Sequence, residues 1–216
     1  MIEDLFAAHD AQPWTEPIDP GAMVLRGFAL AQAPALLAMI ADIVAVAPFR
    51  HMLTPGGLAM SAAMTNCGAL GWVSDTHGYR YALADPVSGA PWPALPPAWL
   101  VLAREAAAAA GFSGFVPDAC LINRYAPGAR MSLHQDRNER DMTQPIVSVS
   151  LGLPVIFQFG GMQRSERPRR VPLMHGDVVV WGGPARLRYH GVLALREGEH
   201  PLTGSCRINL TFRKAG

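Results

Sequence analysis

His134, Gln135 and Asp136 set a histidine and a carboxylate two positions apart, and a second histidine, His190, follows much later in the chain. In an extended strand residues i and i+2 project to the same face, so His134 and Asp136 can reach one metal ion. His190 follows strand-like residues and can arrive from a neighbouring strand as the third ligand. Two histidines and one carboxylate leave positions open for a co-substrate and O2, the ligand logic of non-haem Fe(II) oxygenases; a structural zinc site would fill its shell. Near the C-terminus Arg207, Asn209, Thr211 and Arg213 alternate with Ile208, Leu210 and Phe212. One face of that strand is polar and cationic, the other core. The arginine Cα atoms lie ~20 Å apart at roughly 3.3 Å per residue, a gap that two long side chains leaning together close to the length of a five-carbon diacid. Buried arginines need carboxylate partners. Asn123 and Tyr125 repeat the pattern, placing an amide and a phenol on one face with Leu121.

The other histidines fit a metal less well. His175, Gly176 and Asp177 repeat the His-x-Asp order, but the glycine followed by Val178 to Trp181 reads as a turn entering a strand. His9, His51, His77 and His200 lack a carboxylate at ligand spacing and read as surface or capping residues.

These groups need a scaffold of strands. The spacing of Leu36, Ile40, Ile43, Val44 and Ala47 predicts a helix over 34–47, with a proline at its start and Pro48 as its stop. Trp99, Leu102, Ala103 and Ala106 predict a second helix over 97–110, ended by Gly111. From Ala119 onward short strand-like runs alternate with Gly and Pro turns: 146–151, 155–159, 178–181, 189–195 and 207–213. The expected class is α+β, mainly β, with helices outside a double-sheet jelly roll. Residues 64–81 are rich in Gly and aromatics and read as loop or irregular hairpin, suited to a lid. For Trp72 and Tyr79 on their own, core packing is the ordinary reading.

At 216 residues, half of them apolar, the chain can bury a substantial single-domain core. Residues 1–10 are acidic and lack the pattern of a signal peptide. The most apolar window, near Leu36, is interrupted by Asp42 and Pro48, so no membrane span is expected. Cys67, Cys120 and Cys206 suggest neither a disulfide framework nor a zinc site, and a reducing cytoplasm is the expected setting. Residues 1–120 carry 4 basic and 10 acidic groups and residues 121–216 carry 14 and 7, so a net +1 divides into −6 and +7. Arg164, Arg167, Arg169 and Arg170 can grip phosphate; a solvated polar loop is the competing reading.

Several ordered blocks, 64–72 (MTNCGALGW), 117–136 (PDACLINRYAPGARMSLHQD), 145–161 (PIVSVSLGLPVIFQFGG) and 175–183 (HGDVVVWGG), together with the terminal arginine pair, resemble the AlkB family of Fe(II) and 2-oxoglutarate-dependent dioxygenases. The likeness spans nearly the whole chain. It implies one domain over 1–216 with a double-stranded β-helix core at about 115–214 and a nucleotide-recognition lid at about 50–90. It further implies that His134, Asp136 and His190 hold iron. Arg207, with Tyr125 and Asn209, would take the distal carboxylate of 2-oxoglutarate, and Arg213 and Asn123 would lie towards its keto-acid end. By the same resemblance Trp72 stacks on the damaged base beneath a lid that includes Tyr79 and Tyr81. Arg130 and Gln135 sit on the rim, and Arg164 contacts substrate. The implied reaction is oxidative demethylation of N1-methyladenine and N3-methylcytosine in single- or double-stranded DNA, with RNA open as a second substrate. It would consume 2-oxoglutarate and O2, release formaldehyde, and be carried out by a monomer without an obligate protein partner. One departure bears on specificity: where bacterial members carry an aspartate two positions after the ligand aspartate, this chain has Asn138, whose amide offers no negative charge to a cationic base. Two alternatives stay open from the residues alone: an oxygenase of the same fold acting on a protein or small molecule, and a nucleic-acid-binding jelly roll without turnover.

Overall fold

The computed structural model describes residues 14–216; His9 lies outside them. In chain order the strands and helices are β1 (Trp14–Asp19), β2 (Ala22–Arg26), α1 (Ala33–Val46), β3 (Ala63–Gly68), β4 (Gly71–Asp75), β5 (Gly78–Ala82), α2 (Pro97–Ala109), β6 (Ala119–Tyr125), β7 (Met131–His134), β8 (Ile146–Gly152), β9 (Val155–Phe159), β10 (Arg169–Leu173), β11 (Val178–Trp181), β12 (His190–Val192) and β13 (Arg207–Arg213). They form a seven-stranded sheet ordered β1-β2-β11-β8-β13-β6-β3, a four-stranded sheet ordered β10-β9-β12-β7, and the separate hairpin β4-β5.

Period-two alternation decides what each face of the large sheet does. Cys120, Ile122, Val147, Val149, Val178, Val180, Ile208, Leu210 and Phe212 point one way and pack with Leu36, Ile40 and Ile43 of α1 and with Trp99, Leu102 and Ala106 of α2. The residues between them face the small sheet. Leu121, Tyr125, Ile146, Val179 and Trp181 meet Val155, Phe157, Phe159, Val171, Leu173 and Val192 there. With one face closed by helices, the polar residues of β13 must project into the space between the sheets. Trp99 anchors the helix layer, fully buried and edge-on to Phe212 at 6.0 Å; its truncation to alanine is worth about 3–5 kcal/mol on the usual scale for buried aromatics.

Both helices fall within a residue of the expected bounds. Pro34 lies in the first turn of α1, where a missing N–H costs nothing. At the end of α2, Gly111 takes φ 87° and the Phe112 N–H closes on the Ala107 carbonyl.

Three readings need correction. Residues 64–68, expected in a loop or irregular hairpin, belong with Ala63 to the edge strand of the large sheet, register-paired with β6 and buried throughout; their short and polar side chains hide a two-sided burial that apolar alternation would not reveal. The strand expected over 189–195 is regular only at His190–Val192, its partnership with β7 being broken by a register shift. The competing reading of the Arg164 to Arg170 cluster as a solvated loop fails at Arg169 and Arg170, which begin the edge strand β10. There Pro172 is tolerated because one side of the strand is unpaired.

Within the segment expected to act as a lid, residues 71–82 form the hairpin β4-β5. Asn66 of β3 receives the Trp72 backbone N–H at 3.0 Å and donates to its carbonyl at 2.9 Å, so a side chain fastens the hairpin to the large sheet. Gly71 permits the approach, since a Cβ there would lie 2.3 Å from the Trp92 ring.

Candidate active site

β7 and β12 are antiparallel neighbours, and His134 and His190 are direct partners in their register. Their ring centroids are 4.4 Å apart. His134 Nδ1 donates to the Ser132 carbonyl at 2.9 Å and His190 Nδ1 to the Arg188 carbonyl at 3.1 Å. Each bond fixes the tautomer and leaves Nε2 as a free lone pair. Asp136, just past the end of β7, brings Oδ1 to 3.6 Å from His134 Nε2 and Oδ2 to 3.8 Å from His190 Nε2. One ligand atom from each of the three lies within 4.8 Å of the others, and this is the cluster of metal-binding residues found among the described residues.

Charge in this cluster is set by burial and by Arg213. Burial alone would raise the Asp136 pKa, but the adjacent Arg213 guanidinium, followed by the two histidines, holds it well below the usual carboxylate range. Burial and the neighbouring His134 push His190 down to about 3, which keeps the imidazole neutral. A carboxylate anion and neutral imidazoles are the forms that ligate a metal.

The arginine pair does not act as a symmetrical clamp. Arg213 donates from Nε at 2.9 Å and from Nη2 at 2.6 Å to Asp136 Oδ2, so its carboxylate partner belongs to the protein. Arg207 is different. It is 2% exposed, lies with its guanidinium 5.1 Å from the Tyr125 ring centroid, and gives Nη2 to Ser150 Oγ at 2.9 Å. Its Nε and Nη1, and Asn123 Oδ1 nearby in the sheet, are buried without a hydrogen-bond partner. A buried guanidinium with unused donors is costly unless an anion meets it. This orphaned charge fits the far carboxylate of a dicarboxylate.

Other expected residues take more particular places. The Asn209 amide is spent on Ser148 Oγ at 2.8 Å, the Val149 carbonyl at 2.9 Å and the Thr211 hydroxyl at 2.9 Å, so it ties β13 to β8. Tyr125 is fully buried, its hydroxyl against Met131 Sδ at 3.8 Å. Trp72 and Tyr79 stack at 5.6 Å with 15° between their planes, across the two strands of the hairpin. Asn138 faces that pair: Oδ1 accepts from Trp72 Nε1 at 3.3 Å, and Nδ2 lies 3.5 Å from the Tyr79 carbonyl. Tyr81 turns inward and gives its hydroxyl to Glu139 Oε1 at 2.6 Å. Gln135 is tied to the Leu187 carbonyl. The Arg130 backbone is held by Ser61 while its side chain is exposed, and Arg164 is exposed between β9 and β10.

Residues 21–213 match the 2OG-Fe(II) oxygenase superfamily. The chain belongs to that superfamily. The oxygenase is 59% identical over 212 residues to the alpha-ketoglutarate-dependent dioxygenase AlkB of Salmonella typhimurium, a match covering 98% of this chain and 97% of that one. It is 58% identical over 213 residues to the enzyme of the same name from Escherichia coli, covering 99% and 98%. The solved structure of OsALKBH1 superposes with a TM-score of 0.82 at 25% identity, covering 93% of this chain and all of that one. The oxygenase is therefore a dioxygenase that uses Fe(II), 2-oxoglutarate and O2, with His134, Asp136 and His190 as its metal-binding triad.

Four residues that hold this site together escaped the sequence reading. Ser148 and Ser150 alternate with Val147, Val149 and Leu151 on β8, and that period-two signal marks them as facing the pocket. Glu139 and Arg186 form a buried ion pair at 3.0 Å. Nothing local in the sequence distinguishes this glutamate from a solvated one. The second His-x-Asp sequence is structural, as expected: His175 Nδ1 accepts from the Gly152 N–H, and Asp177 receives Arg26 and the Gly27 and Met174 N–H groups. Among the described residues no helix is long and apolar enough to cross a membrane.

Proposed function

We propose that this oxygenase removes N-linked methyl groups from cationic bases, N1-methyladenine and N3-methylcytosine, in single- or double-stranded DNA, with RNA as a second substrate, and that it does so as a monomer. The observation that carries the reading is the stacked Trp72–Tyr79 pair latched to Asn138, two residues from the metal ligand Asp136. A planar cation is attracted to an electron-rich indole face beyond ordinary stacking. A base drawn out of its strand can be held there with its methyl group towards the triad.

In this reading His134, Asp136 and His190 hold Fe(II), Arg207 takes the far carboxylate of 2-oxoglutarate, and Asn123 contributes near its keto-acid end. The bound iron and 2-oxoglutarate supply, with O2, the oxidant that hydroxylates the methyl C–H, with succinate and CO2 as co-products. The hydroxymethyl group then leaves nitrogen as formaldehyde and the base is restored. The protein's own contribution is placement. Arg213 fixes the carboxylate of Asp136, the two Nδ1–H bonds fix the imidazoles, and the β4-β5 hairpin serves as the lid that keeps water from the reacting methyl group. Arg130 and the exposed Arg164, Arg167 and Arg170 supply positive charge for the phosphate backbone; Arg169 is already tied to Glu16.

Succinate release tests the substrate class. Formation stimulated by a methylated oligonucleotide, and not by the same sequence unmodified, is the expected result. Equal rates with both would remove base demethylation as the reaction.

A further inference from the structure

Glu139 lies three residues beyond the metal ligand Asp136, with its side chain 2% exposed. Its carboxylate gathers groups from three parts of the fold. Oε1 accepts the Tyr81 hydroxyl of the lid hairpin at 2.6 Å, Oε2 accepts Arg186 Nη2 at 3.0 Å, and Oε1 also stands 3.4 Å from Arg213 Nε. Arg186 in turn donates Nη1 to the Asp136 backbone carbonyl at 2.9 Å. Arg213 Nε carries a single N–H, and that N–H is given to Asp136 Oδ2 at 2.9 Å. Two carboxylates thus stand against one guanidinium, and the second of them also holds the Tyr81 hydroxyl of the hairpin.

We infer that Glu139 is a positioning residue through which closure of the β4-β5 lid sets the order of the metal ligand Asp136. With Tyr81 seated, Glu139 Oε1 has a strong donor and leaves the Arg213 Nε–H to Asp136. When the hairpin lifts, that oxygen loses the phenol in a buried setting, where an unmet charged acceptor is costly. The nearest replacement is Arg213 Nε–H, and taking it loosens the Asp136 carboxylate. An open lid therefore disfavours an ordered triad and a closed lid favours it. Coupling of this kind is reciprocal: filling the triad must hold the lid down. Tyr81 acts here as a switch read by Glu139, and its contact with substrate is not required.

The inference rests on the proposed roles of the triad and lid, but its test needs no nucleic acid, so its failure leaves the demethylation reading standing. Hydrogen exchange of residues 71–82 is followed in the metal-free protein and after addition of Mn(II) and 2-oxoglutarate. The wild type is expected to slow by about fivefold or more on loading, the lower end of ordinary coupling between sites. Tyr81→Phe, which removes only the hydroxyl, and Glu139→Gln, which removes the charge, are expected to lose most of that difference while still binding Mn(II). A purely structural role for Glu139 would shift exchange equally with and without metal. Equal slowing in wild type and Tyr81→Phe, or no slowing in wild type, overturns the coupling. Tyr81→Phe alone decides the matter if melting shows that Glu139→Gln does not fold.

Discussion

His134 and His190 face each other across the β7–β12 pair, and each anchors Nδ1 on the carbonyl two residues before it. Two strands meeting at a matched register thus present two Nε2 atoms to the same point. The site is built by sheet geometry more than by flexible loops, and its properties can be tested residue by residue.

Removing His190 takes away one of the three metal-binding groups, whereas His175 belongs to a turn. His190→Ala is expected to lower Fe(II) affinity, measured anaerobically by calorimetry, by more than about 100-fold, beyond the roughly 10- to 100-fold that outer-shell partners cost. His175→Ala should bind iron as the wild type does. Survival of affinity in the first and collapse in the second would overturn the ligand set.

Arg207 carries the unused donors of the pocket. Arg207→Ala is expected to weaken 2-oxoglutarate binding by about 3 kcal/mol, on the order of 100-fold, typical for truncating one member of a buried charge pair. Arg207→Lys should not restore it, because a point charge cannot reproduce the planar guanidinium. Titration of metal-loaded protein with 2-oxoglutarate in the absence of O2 gives the answer, and unchanged affinity in the alanine variant would remove the assignment.

Asn138 contacts both Trp72 and Tyr79 without offering a charge. Asn138→Asp places a carboxylate at an exposed position beside the cationic base, where screened attraction is worth less than about 1 kcal/mol. The expected change is a rise of about two- to fivefold in kcat/KM for cationic N1-methyladenine relative to a neutral N-alkylated base. An unchanged substrate ratio would count against this role.

The turn after β8 should respond to acid. Burial, and then the neighbouring His200, lower the His175 pKa below its ordinary 6.5. The unfolded chain therefore takes up this proton before the folded one does. The contribution is complete above about pH 6.5 and is lost as pH falls below it. Protonating Nδ1 also removes the acceptor for the Gly152 N–H. In melting experiments between pH 7 and pH 5 the wild type should lose more stability than His175→Asn, whose amide oxygen accepts without titrating; parallel curves would contradict this.

What the sequence made legible follows from how local each signal is. The polar and apolar faces of β13 were readable because strand alternation is a two-residue property, and the helices because their apolar spacing ends at Pro48 and Gly111. β3 was hidden because Thr65, Asn66 and Gly68 look like turn residues until β6 and the Trp72 backbone satisfy them. The two arginines of β13 read alike. Only the fold shows that Asp136 claims Arg213 and leaves Arg207 with free donors. Glu139 was silent for the same reason, since the hydroxyl it receives comes from a hairpin more than fifty residues upstream.

The central claim is tested most directly by mass spectrometry of an oligonucleotide carrying one N3-methylcytosine, incubated with protein, Fe(II), ascorbate, 2-oxoglutarate and air, beside a His134→Ala control. Loss of the methyl group with wild type alone is the predicted result. An oligonucleotide that stays intact while succinate accumulates would contradict base demethylation and direct the same iron chemistry to another substrate.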